Sequence, residues 1–252
     1  MKILRTASPA ILVFFLLLSC MAAQPGSPAV PAQNSGKELE ALLTAMDNAA
    51  LKFKSAEAEV NVDVYNRAAD DTEKQTGKVY FRKKGSQTDM AANFTSPQGE
   101  VVRQIVYVEG CVNIFEKKID QITRYCADKN KEAVDSFLNI GFGGSGHGLQ
   151  KSFDVSYGGT ETIDNKKAEK LVLIPSQTKV KNMFSKITLW IWIDPSTQIA
   201  LSVKQEFIQP SGDSRTSYYK NIHSPAKIPE NVFKVPKAQT CIDGSTGSKC
   251  HT

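Results

Sequence analysis

Residues 56–64 read Ala-Glu-Ala-Glu-Val-Asn-Val-Asp-Val. Small and aliphatic side chains stand at every second position, Ala56, Ala58, Val60, Val62 and Val64. Acidic or amide side chains fill the places between. Side chains along a strand point alternately to its two faces, so this is a strand with one dry face and one wet face.

Upstream, the period changes. Leu39, Leu42, Leu43, Met46, Ala50 and Phe53 recur at helical spacing and make one apolar stripe. Ser35 and Glu38 fit a capping box, which predicts a helix starting at Ser35. Its apolar stripe needs a sheet to lie against. Downstream, strand-like runs follow at about 76–83, 87–94, 100–108, 111–116 and 121–126, then 153–158, 168–174, 187–193, 199–207 and 215–221. Turn signals such as Ser96-Pro97-Gln98-Gly99 and Pro210-Ser211-Gly212-Asp213 separate them. About eleven closely spaced strands predict a single strongly curved antiparallel sheet, in a mainly β fold with a few helices. Ile187-Thr-Leu-Trp-Ile-Trp-Ile193 is apolar on both faces, as a strand covered on both sides must be.

The strand pattern breaks at 130–150. Val134, Phe137 and Leu138 mark a short helical face, and Gly141-Phe142-Gly143-Gly144-Ser145-Gly146-His147-Gly148 follows. No sheet segment carries so many glycines, and the expectation is a short apolar helix on a flexible loop, a lid. Curved sheet, helix and lid fit a cavity; a filled core satisfies the same apolar pattern.

The chain starts with Lys2 and Arg5, an apolar run over Ala10–Leu18, then Ser19-Cys20, which reads as a secretory signal. The run is short of the roughly 20 apolar residues of a membrane span. Leu17-Leu18-Ser19-Cys20 matches a lipobox, with Cys20 the lipidated residue; cleavage near Ala22 or Ala23 is the alternative. Residues 21–35 are Pro-rich and read as a linker, 36–237 as the folded domain, and 238–252 as a tail.

The chain has five cysteines, an odd number for an oxidising compartment. Lipidation of Cys20 leaves two local pairs, Cys111 with Cys126 and Cys241 with Cys250. A hairpin turn centred on Lys118-Ile119 sets Cys111 opposite Cys126 and Phe115 opposite Ile122. Zinc is the rival use of four thiols, but no CxxC pair exists.

The net charge of +5 includes Lys2 and Arg5, leaving +3 without the signal. No basic run argues for nucleic acid. Gly141-x-Gly143-x-x-Gly146 has the glycine spacing of a dinucleotide fingerprint but lacks the strand before and the helix after. His147, His223 and His251 share no metal-ligand spacing, and no hydrolase, zincin or P-loop signature is present. These readings single out no catalytic or metal-ligating residue and weaken an enzyme reading without excluding a site that distant carboxylates assemble in the fold.

Several segments taken in order resemble the bacterial lipoprotein carrier family, the LolA-like proteins and the related receptor LolB. Thr76-Gly-Lys-Val-Tyr-Phe-Arg-Lys83 resembles the family's second strand. Glu109-Gly110, Val112-Asn-Ile-Phe115 and Gln121-Ile-Thr123 resemble its hairpin, Arg215-Thr-Ser-Tyr218 its late strand, and Ile228–Pro236 its closing segment. The resemblance covers most of residues 36–237. It implies a half-open β-barrel with a helical lid and an apolar cavity for the acyl chains of lipoproteins, with no cofactor and no catalysis, so not an enzyme. The expected cavity lining is Val60, Val62, Phe81, Met90, Phe94, Leu189 and Ile191, and the expected lid is Val134, Phe137, Leu138 and Phe142. In the family an arginine at the end of the second strand latches the lid; Lys83 holds that place here, a point donor rather than a planar fork. The implied partners are acylated lipoproteins or other lipids and the lipoprotein-sorting machinery of either membrane, with the protein itself a monomer. The implied location is the periplasm. Met21 after a lipidated Cys20 implies the outer membrane, and cleavage beyond Cys20 a free carrier.

Overall fold

The computed structural model describes residues 32–85, 87–126 and 140–250. Cys20, His251 and the lid residues Val134, Phe137 and Leu138 lie outside them.

Helix α1 (Ala32–Lys52) carries the expected stripe, with Leu42, Leu43, Met46 and Ala49 buried. It begins before Ser35, so Ser35 is a residue of the first turn and not the N-cap, and the linker ends earlier than expected. Ala32 and Gln33 are strong helix formers, and nothing between them and Ser35 stops the helix.

Among the described residues, twelve strands form one sheet: β1 (Ser55–Asn66), β2 (Asp71–Lys84), β3 (Gln87–Thr95), β4 (Val101–Val108), β5 (Cys111–Glu116), β6 (Gln121–Cys126), β7 (Phe153–Ile163), β8 (Lys166–Pro175), β9 (Lys186–Ile193), β10 (Ala200–Ile208), β11 (Ser214–His223) and β12 (Thr240–Asp243). Their order is β12-β6-β5-β4-β3-β2-β1-β11-β10-β9-β8-β7. β1 to β6 form one meander and β7 to β11 another, and β1 joins them by pairing with β11. The outermost strands, β12 and β7, do not pair with each other, so the curved sheet stays open as a half-barrel.

The eleven expected strands are all present. The twelfth, β12, lies in the tail and pairs parallel to β6, against the antiparallel rule of the rest. Four residues carry too little alternation to announce a strand. The Cys241–Cys250 disulfide lies at its end, and Asp120 and Arg124 bond its flanks through backbone carbonyls. The Cys111–Cys126 disulfide joins directly opposed residues of β5 and β6, with Phe115 opposite Ile122.

Register fixes one inner face. Phe94, Gly77, Val60 and Tyr219 stand side by side across four strands, and Val62, Ser217, Gln205 and Leu189 across another four. Over β7 to β10 the inner face is filled by α1, which packs Leu43 and Met46 against Leu171, Leu173, Ile187, Leu189 and Ile191. The outer face is covered in two places. The closing segment seats Phe233 on Ala91 and Val106, and Trp190 packs with Ala168 and Val203. Arg82 clamps the closing segment, stacking 4.2 Å over the Phe233 ring and pairing with Asp89 (2.8 Å) and Glu230 (2.5 Å).

Candidate functional site: an apolar hollow on the inner face

Where α1 does not reach, the inner face leaves a hollow of about 300 Å³. That volume stands at the lower end of small-molecule clefts, roughly 300–1,000 Å³. Val79 and Phe81 of β2, Met90 and Ala92 of β3, and Ile105 of β4 form one wall. Gln205 and Phe207 of β10 with Arg215, Ser217 and Tyr219 of β11 form the other. Ile140, Phe142, Phe184 and Gln209 complete the lining. The first wall is apolar because the inner positions of β2, β3 and β4 are the apolar members of an alternating pattern, whereas the second mixes apolar and polar side chains.

Of the residues expected to line a cavity, Phe81 and Met90 border this hollow. Val60, Val62 and Phe94 share its face but are packed into the buried cluster around Phe81 and Phe142, beside the hollow and not on its surface. Leu189 and Ile191 are a correction. Each is 0% exposed beneath α1, in filled core. The helical stripe upstream of residue 56 covers those two positions, which alternation within one strand does not reveal.

Phe142, the described member of the expected lid, lies flat on Phe81 with ring centroids 4.1 Å apart and planes 7° apart. Its edge meets Tyr219 at 4.9 Å. The glycines around it are not a flexible hinge, which corrects the loop reading for residues 140–149. Ser202 N–H donates to the Gly141 carbonyl (2.7 Å), and Phe142 forms a bridge with Leu201. Gly141 and Gly143 hold φ near +80°, at 81° and 79°. A Cβ at Gly141 would sit 2.6 Å from Ser202 Cβ, and one at Gly143 would sit 2.3 Å from the Phe53 ring. These glycines let the backbone dock against sheet and helix.

A buried polar relay fastens the same segment. Gln205 Nε2 donates to the Ile140 carbonyl (2.7 Å), and the Tyr219 hydroxyl donates to Gln205 Oε1 (2.9 Å). Burial pushes the Tyr219 hydroxyl above its ordinary pKa, while the charge of Arg215 pulls the other way. Gln205 was missed in the sequence, although an amide at an inward position of an apolar strand is a visible signal.

Lys83 latches something other than the expected lid residues. Its Nζ donates to the Ala50 carbonyl (2.8 Å), in the last turn of α1, and its backbone N–H bonds the Lys54 carbonyl (2.8 Å). The last carbonyls of a helix lack internal donors, so a lysine there is well placed. His147, expected in a mobile loop, is tied to α1 as well. Its Nδ1 meets Asp47 Oδ2 at 2.5 Å and its Nε2 meets Glu40 Oε1 at 3.0 Å. Ser145 Oγ donates to Asp47 Oδ1 (2.6 Å) and accepts from Gly148 N–H (2.9 Å), capping the short helix Gly146–Leu149. The hydrogen bond with Asp47 raises the pKa of His147, against opposing desolvation and with help from Glu40. Burial pushes Asp47 up, yet hydrogen bonds from Ser145 and His147 outweigh it and hold the carboxyl below its ordinary value.

Curved open sheet, helix across its inner face and apolar hollow define a half-open β-barrel. No family model matches the chain. No curated protein matches it. Solved structures similar to it include an outer-membrane lipoprotein-sorting protein domain from Vibrio parahaemolyticus, 10% identical with a TM-score of 0.44, covering 81% of this chain and 97% of that one. A LolA superfamily protein from Nitrosomonas europaea is 14% identical with a TM-score of 0.38, covering 78% and 97%. LprF from Mycobacterium bovis is 15% identical with a TM-score of 0.42, covering 78% and 98%.

Proposed function

We propose that this protein is an exported envelope protein that binds acyl chains of lipoproteins in the inner-face hollow, as a carrier or an anchored receptor on the way to the outer membrane. It works by binding and not by catalysis. The observation that carries the reading is the hollow itself, walled by Val79, Phe81, Met90, Ala92, Ile105 and Phe207. Hydrocarbon needs little more than such a wall, since each buried CH₂ contributes about 0.8 kcal/mol. The signal-like N-terminus and two disulfides support an oxidising compartment.

The test uses the mature protein titrated with an acylated peptide, after extraction of any lipid that copurifies. Saturable binding that is lost in Ala92→Trp, which plugs the hollow, supports the reading. A folded protein that binds no acyl ligand overturns it.

A second reading, an envelope module that binds or senses protein, has one observation in its favour. Helix α1 fills the β7 to β10 half of the inner face, and Phe142 covers Phe81. Under that reading the acylated peptide and its unacylated counterpart bind alike. Mass spectrometry of the mature N-terminus separates carrier from receptor: a lipidated Cys20 means anchored, a start beyond it means free.

A further inference from the structure

The hollow is graded along its length. Its closed part is mainly apolar, with Phe81, Ala92 and Tyr219 buried beside Gln205 and Ser217, while Arg215 stands at its exposed rim. Arg215 belongs to the inner face, because Arg215, Ser217 and Tyr219 alternate inward along β11. Its cross-strand partners on that face are both apolar, Phe207 on one side and Val64 on the other.

No ion pair to Arg215 forms among the described residues. The carboxylates around it are occupied elsewhere. Glu73, across β1 on the same face, accepts from the Gln75 amide (2.8 Å). Asp213, two residues along the chain, accepts from Arg67 N–H and the Ser211 hydroxyl, each at 2.8 Å. A guanidinium without a carboxylate, set between apolar side chains at the rim of an apolar hollow, is complementary to an amphiphile.

We propose that the hollow takes a single-chain amphiphile with an anionic head, its hydrocarbon against Phe81, Ala92 and Phe207 and its head on Arg215. Its hydrocarbon half rests on the acyl-binding reading above, and its head goes beyond that reading to a free anionic amphiphile. A volume of about 300 Å³ suits one chain better than several. Carboxylate and phosphate heads share the required chemistry, paired oxygens that accept the two parallel N–H bonds of a guanidinium fork.

The experiment is calorimetric titration of the mature protein with dodecanoate, dodecyl phosphate and dodecanol, each below its aggregation limit. At least one anionic ligand binds about three- to fivefold tighter than the alcohol, the gain of an exposed ion pair. The preference disappears in Arg215→Gln and survives in Arg215→Lys. A stronger response to phosphate assigns the head to a lysophospholipid, and a stronger response to carboxylate assigns it to a fatty acid; both support the proposal. Equal binding of all three by the natural protein overturns it, as does a preference that persists in Arg215→Gln, while leaving acyl binding intact. Binding of none of the three also overturns the proposal, and titration with the acylated peptide then tests the acyl-binding reading separately.

Discussion

At the scale of single residues, the attachment of residues 140–149 decides how open the hollow is. Gln205 satisfies two buried groups at once, so Gln205→Leu strands the Ile140 carbonyl and the Tyr219 hydroxyl. An unsatisfied buried polar group costs about 1–3 kcal/mol, and chemical denaturation of the variant should read a loss of that size. Gly143→Ala meets both an unfavourable φ and the Phe53 ring. Its expected loss is about 1 kcal/mol or more. The His147 contact adds a dependence on pH. Asp47 raises the folded-state pKa of His147, so its contribution to holding the short helix on α1 is complete below the ordinary imidazole pKa of 6.5. The contribution fades as pH climbs through the raised value. Hydrogen exchange at Ser145–Leu149, corrected for intrinsic rates, should therefore show weaker protection on the alkaline side, and His147→Ala should remove the change.

At the scale of elements, α1 and the β5–β6 hairpin carry separable parts of the stability. Leu43 is wholly buried between α1 and the sheet, so Leu43→Ala should cost about 2–5 kcal/mol in equilibrium unfolding. Replacing Cys111 and Cys126 by alanine reopens a 15-residue separation and should cost about 3 kcal/mol in the chain-entropy account. Elements are also the scale at which the sequence was most readable. Alternation located eleven strands, and the two facing cysteines set the hairpin register, because period and turn chemistry are local properties. The start of α1 was misplaced by the Ser35 capping pattern, since a good capping box does not stop a helix from extending past it. β12 was invisible because a short parallel edge strand is made by its partner β6 and by the neighbouring disulfide. The role of the glycines near Phe142 was misread, because composition reports backbone freedom but not the close neighbours that require a missing Cβ.

At the scale of the whole molecule, the inner face is divided. Helix α1 turns the β7 to β10 half into ordinary core, and the β2 to β4 half with β10 and β11 keeps the hollow. That division was not legible in the sequence, because all seven expected cavity residues share one face and only the placement of α1 and of Phe142 sorts them. Two methionines report on the two halves. Met90 lines the hollow, whereas Met46 of α1 is locked in the filled core. The decisive measurement is therefore a methyl-carbon NMR titration of methionine-labelled protein with an acylated ligand. The account predicts a saturable shift of the Met90 methyl resonance while the Met46 methyl stays in place. A Met90 resonance that never moves under saturating ligand, or movement confined to Met46, contradicts it.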